Sequence, residues 1–160
     1  MRHVGQGKLG IGTALGVAIA AAGTLAMAPA ATAVAPTPDT ATLSFDCGSY
    51  GSGTATLTAT QDGTSATISL STSAITSPID IGANSVTSTL TLTKNGSGTT
   101  EFTGSANPAI PAGSQVSTGP LSGTVAAGDS LEATSLKVVV LGITATCNAT
   151  SAQSPGPFVF

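Results

Sequence analysis

The sequence predicts an all-β fold of short antiparallel strands, a sandwich or a barrel. Three observations carry this. Apolar and polar residues alternate with a period of two through most of the chain after residue 40, and no stretch there has a helical period. Thr, Val and Ile favour strands, while 20 glycines disfavour helix. Turn signals such as Asp62-Gly63 and Asn95-Gly96 separate the alternating stretches.

Residues 1–33 have the order of a secretory signal peptide. Arg2, His3 and Lys8 precede an uncharged apolar run from Leu9 to Ala28, and Ala31-Thr32-Ala33 supplies an A-x-A site. Cutting at Ala28 or Ala35 would leave Pro29 or Pro36 just after the cut, so cleavage is expected after Ala33. The competing reading is an uncleaved anchor, because the run approaches spanning length. With the leader removed, no transmembrane segment is expected. Residues 34–40, with Pro36 and Pro38, read as an exposed lead-in, and residues 41–149 as the β domain.

The strands are expected as follows. Ala41, Leu43, Phe45 and Cys47 share one face of a first strand. Thr54–Thr60 and Thr64–Leu70 form a hairpin around Gln61-Asp62-Gly63, with Ala55, Leu57, Ala59, Ala66, Ile68 and Leu70 inward. Pro78 places the next segment at an edge or in a crossover. Val86–Lys94 and Thr99–Thr103 form a second hairpin, with Val86, Leu90, Leu92 and Phe102 inward. Ser105–Pro120 reads as a long connection with a short edge strand at Gln115–Thr118, followed by a short strand through Leu121, Gly123 and Val125. In the apolar stretch Leu136–Cys147, Leu136, Val138 and Val140 have one parity, and Ile143, Ala145 and Cys147 the other. Gly142 stands at the switch, as a bulge or as a break into two strands. Residues 150–160 lose periodicity and read as a flexible tail.

Cys47 and Cys147 are the only cysteines, an even pair in an exported chain, and are expected to form a structural disulfide between an early and a late strand. Asp46 beside Cys47 works against a redox role, which needs a lowered thiol pKa.

Beyond the leader the chain has no His, Arg, Met or Trp. Two lysines, Lys94 and Lys137, stand against seven carboxylates, a net charge of −5. Nucleic acid and anionic lipid are therefore not expected partners. Without imidazole there is no usual base for a serine or cysteine nucleophile, and zinc lacks its common ligands. The carboxylates form no pair suited to glycoside hydrolysis, and Asp80 and Asp129 lie in no recognisable calcium loop. No catalytic, metal or cofactor site is expected. Asn95-Gly96-Ser97 and Asn148-Ala149-Thr150 match the glycosylation pattern, a motif short enough to arise by chance.

The Ala/Thr/Gly-rich leader, the early cysteine and the ending Leu136-Lys-Val-Val-Val-Leu-Gly-Ile-Thr-Ala-Thr-Cys147 resemble small secreted proteins of high-GC actinobacteria. The resemblance spans Ala41 to Ala149 and implies an immunoglobulin-like sandwich of about seven or eight strands, with no assigned activity. The chain is also similar in composition to the apoproteins of enediyne antibiotics, which carry a small aromatic ligand. It departs from them in lacking a second, local disulfide and aromatic cleft residues.

The functional expectation is a secreted, non-catalytic module with a structural or binding role outside the cell or at the cell envelope, partnered by envelope components or another extracellular protein. A small-molecule carrier, which requires a preformed apolar pocket, is the first alternative. An inhibitor of secreted hydrolases, presenting the loop Ala106–Pro120, is the second.

Overall fold

The computed structural model describes residues 34–160 of the chain; the expected signal peptide lies outside the described residues. Nine strands follow one another: β1 Thr40–Asp46, β2 Ser52–Asp62, β3 Ser65–Thr76, β4 Val86–Lys94, β5 Gly98–Gly104, β6 Gln115–Thr124, β7 Ser130–Val140, β8 Ile143–Ala149 and β9 Phe158–Val159. A single 3-10 turn, Gly48–Tyr50, follows β1.

Every pairing is antiparallel, and the strands run β1-β2-β3-β6-β5-β4-β7-β8 and back to β1. The expected immunoglobulin-like sandwich is thus corrected to a closed eight-stranded barrel. The pairing that overturns it runs between β4 and β7, from Val86↔Val140 to Lys94↔Leu131. In a sandwich of two sheets these edges would stay apart. Inward–outward alternation is the same in both architectures, so the strand pattern alone does not separate them.

The alternation itself places the core. Ala55, Leu57 and Ala59 of β2 and Ala66, Ile68 and Leu70 of β3 are buried, as are Val86, Leu90 and Leu92 of β4. The outward positions of β2 and β4 are mostly threonine. The barrel is apolar inside and polar outside, the reverse of a barrel built to face lipid. Among the described residues no helix is long and apolar enough to cross a membrane.

The turns follow their local chemistry. Asp62 pairs with Ser65, leaving Gly63-Thr64 as a two-residue turn with Gly63 at φ +60°. The parity switch after Val140 resolves as a break. Val140 pairs with Ile143, and Leu141-Gly142 forms a two-residue turn with both φ angles positive. Val140 and Ile143 therefore face the same side, as do Val138 with Ala145 and Leu136 with Cys147.

Two expectations fail where the chain is least regular. Gln115–Thr124 is one ten-residue strand between β5 and β3, not an edge strand plus a separate short one. It accommodates Pro120 through a register shift against β3, where Gly119 has φ +107° and a Cβ would sit 2.8 Å from the Ser69 Cα. A proline without an N–H is tolerated in an interior strand at such an irregularity.

The second failure concerns the chain ends. β1 and β8 pair only at Phe45↔Ala149 and Asp46↔Asn148 and then diverge. Residues 150–160, expected as a flexible tail, run into the gap. Thr42 and Ser154 exchange backbone hydrogen bonds of 2.7 and 2.8 Å, and Gln153 is buried with its Oε1 accepting from the Ala133 amide. β9 then pairs with the start of β7, and Thr37 of the expected lead-in bridges to Val159. The Phe158 ring is fully buried and meets Phe160 edge to face at 6.5 Å. Apolar area removed from water drives this docking.

Phe158 closes the end of the barrel that also holds Phe102, Leu92, Leu121, Val125 and Leu131. The Phe102 ring packs on Gly123, where a Cβ would approach it to 2.5 Å. Replacing Phe158 with Ala is expected to lower unfolding free energy by about 3–5 kcal/mol. Urea denaturation measures this; a loss below about 1 kcal/mol would mean that the tail does not close the barrel in solution.

Candidate functional site

The two ends of the barrel differ. The end just described is filled. At the other, the inward side chains stop short of filling the space. A cavity of about 290 Å³ lies there, walled by every strand of the barrel except β5. An eight-stranded barrel is just wide enough to be packed by its own side chains or to hold one small ligand. This one does the first at one end and has room for the second at the other.

Strand lengths create the cup. β5 ends at Gly104, opposite Ser88, and does not extend to the rim. On the opposite side, β1 ends at Asp46 while the β7–β8 hairpin continues to its Leu141-Gly142 turn. The inner face of that hairpin (Leu136, Val138, Val140, Ala145, Cys147 and Ala149) is only partly buried and lines the cup. The connection Ser77–Ser85 forms another part of the wall through Ile79 and Ile81.

The walls are held in place by polar devices outside the apolar lining. The Cys47–Cys147 disulfide forms as expected and joins the end of β1 to β8, at the base of the projecting hairpin. Asn107 is buried and uses its whole side-chain amide. Its Oδ1 accepts from the Ser85 and Val86 amides at 2.9 Å, and its Nδ2 donates to the Gly82 and Pro108 carbonyls. Ile110 is buried, and its bridge to Ile81 ties the two long connections together. Residues of the loop Ala106–Pro120 are therefore built into the wall and into β6.

Among the described residues no carboxylate, amine or imidazole lines the cup; its polar groups are serine and threonine hydroxyls, the Tyr50 phenol and backbone. Of the six exposed large apolar residues among those described, four lie at this mouth. Tyr50, Ile79 and Ile143 line it and are 50%, 48% and 52% exposed, and Leu141 in the adjoining turn is 71% exposed. A clustered apolar rim of this kind marks interaction sites.

An ion pair stands at the filled end. Lys94, the last residue of β4, pairs with Asp129 at 2.7 Å. Asp129 also accepts from the Ala126 amide and from Asn95 Nδ2. The Lys94 hydrogen bond and the Ala126 amide hold its carboxyl below the usual value, with help from Asn95 and against the effect of burial. This cluster ties the β4–β5 turn to the β6–β7 turn.

The apolar stretch Leu136–Cys147 and the two cysteines, both legible in the sequence, wall the cup, but nothing in the sequence marks the cup itself. Its lining comes from seven strands and three connections, and only closure of the barrel brings them together.

Two outcomes follow. Because the folded-state pKa of Asp129 is the depressed one, its contribution is complete above the ordinary aspartate value of about 3.9 and is lost as pH falls through the folded value. Urea midpoints between pH 2 and 7 should show an acid loss that is smaller in Asp129→Asn, which is also less stable at neutral pH. Replacing both cysteines with Ala should cost about 2–5 kcal/mol, given the 100-residue separation they span; unchanged stability would contradict the clamp. No protein-family model, curated protein or solved structure matches this chain.

Proposed function

We propose that this chain is a non-catalytic binding protein that carries one small apolar molecule in the open cup of its barrel, outside the cell or at the cell envelope. The observation that supports this most is the preformed apolar cavity of about 290 Å³. Its size is at the lower edge of the range of about 300–1,000 Å³ typical of ligand sites, and its lining is the usual apolar one. The carrier reading requires such a pocket; a purely structural module does not. Protein interiors are otherwise close-packed, and an unfilled apolar void forfeits contacts. The filled end shows that this chain has the side chains to pack a barrel of this width.

The lack of catalysis rests on the lining. A reaction needs a group that moves a proton, attacks or stabilises developing charge. The cup offers an aliphatic wall, a disulfide and hydroxyl groups, with no base beside any of them. Such a surface binds by removing apolar area from water and does little else. The apolar rim belongs to the same site, since a molecule seated in the cup would cover part of it.

The test is binding of the neutral dye Nile red to the mature protein, followed by fluorescence and calorimetry. Saturable 1:1 binding with a negative heat-capacity change is expected. Ala145→Phe puts a ring into the cup from a half-exposed position and should weaken the dye at least tenfold while the thermal midpoint holds or rises. Absence of binding by the wild-type protein would overturn the carrier reading and return the structural module to first place.

A further inference from the structure

We infer that the ligand of the cup is an uncharged aliphatic molecule bearing a single hydroxyl group, which is held by the paired hydroxyls of Thr118 and Ser88. This rests on the carrier reading and goes beyond it by naming the ligand class and its anchor.

The aliphatic part follows from the wall. Leu43, Leu70, Ile75, Val138 and Val140 are representative of it, and aromatic rings come only from Phe45 and Tyr50. With so few ring faces, a flat aromatic molecule gains little from stacking here and binds through buried apolar area alone. Branched aliphatic side chains adapt instead to a flexible or ring-fused hydrocarbon.

The absence of charge on the ligand follows from where the cations are. Lys94 is engaged with Asp129 at the filled end. Lys137 is exposed and has the opposite parity to Leu136 and Val138, so it lies outside the barrel wall. A carboxylate or phosphate drawn into the cup would lose its water and meet no counter-charge, a costly exchange.

The hydroxyl follows from a buried hydroxyl pair set into the wall; the other buried hydroxyl of the lining, Ser77, is already engaged with the backbone of Ile79. Thr118 on β6 lines the cavity, and its hydroxyl donates to Ser88 Oγ on β4 at 2.7 Å. Both are buried, Ser88 completely. The pair bridges β4 and β6 at the level where β5 ends. Two hydroxyls carry two hydrogens and four lone pairs between them. Their single hydrogen bond uses one of each, and neither hydroxyl has a further side-chain partner among the described residues. The spare lone pairs of Thr118 Oγ1 lie on the member of the pair that faces the cavity. A ligand hydroxyl donating there would complete a chain, from ligand O–H to Thr118 and from Thr118 to Ser88, whose links strengthen one another.

The experiment is displacement of Nile red by three probes of similar chain length: 1-decanol, undecane and decanoate at pH 8. Decanol should displace the dye at a concentration at least tenfold below that of decanoate. Thr118→Val should weaken decanol about tenfold and leave undecane unchanged. Because that variant strands the Ser88 hydroxyl, the double variant Ser88→Ala with Thr118→Val is measured beside it; removing both partners is close to neutral for folding, and circular dichroism checks that it folds. Decanoate binding as well as decanol would overturn the inference, and so would a double variant that still prefers decanol over undecane as the wild type does. Failure of the wild-type protein to bind Nile red at all would be a failure of the carrier reading itself, seen before any probe is compared.

Discussion

The pairing of β4 with β7 is the constraint on which the rest of this molecule depends. It joins nine residue pairs and makes a ring of what would otherwise be an open sheet. Closing a sheet removes its unpaired edges, which are the places where strand proteins aggregate. It also fixes the interior width at that of eight strands. Both ends of the barrel then inherit the same width, and the difference between them comes only from which side chains point inward and how far each strand runs.

At the filled end two phenylalanine rings occupy the interior. Phe102 and Phe158 are fully buried there, Gly123 leaves room for the first, and the second arrives from the last three residues of the sequence. At the open end the inward residues of β8 are Ile143, Ala145, Cys147 and Ala149, and the hairpin that carries them projects past the end of β1. The disulfide holds this hairpin at its base, next to the two residue pairs by which β8 meets β1. The ion pair sits at the far end, away from the apolar mouth. The buried rings and the ion pair thus lie at one end of the barrel, and the cavity with its disulfide-held wall at the other.

Closure by β4 and β7 is not sufficient on its own. β1 and β8 share two residue pairs, and residues 150–160 fill the wedge between them through Ser154, Gln153 and β9. The tail therefore belongs to the fold. Its polar, proline-containing sequence gave no period because its contacts are single ones to different strands, and no repeated spacing is needed to make them. The same reasoning applies to Gln115–Thr124. Gly119 and Pro120 read as chain breakers, yet a local register shift absorbs them inside a strand.

The sequence by itself determined the all-β class, the inward residues of β1 to β5, the hairpins at Gly63 and Asn95-Gly96, and the Cys47–Cys147 bond. Each of these depends on residues close together or on a unique pair: a period of two, a turn dipeptide, the only two thiols. Only the tertiary structure decided between sandwich and barrel, because both bury the same alternate residues and differ solely in which distant edges pair. It also decided that Leu141-Gly142 is a two-residue turn and not a bulge, since either would bring Val140 and Ile143 to one face. The cup is the furthest from the sequence. Its wall is drawn from residues between Leu43 and Ala149, and an empty space has no side chain of its own to announce it.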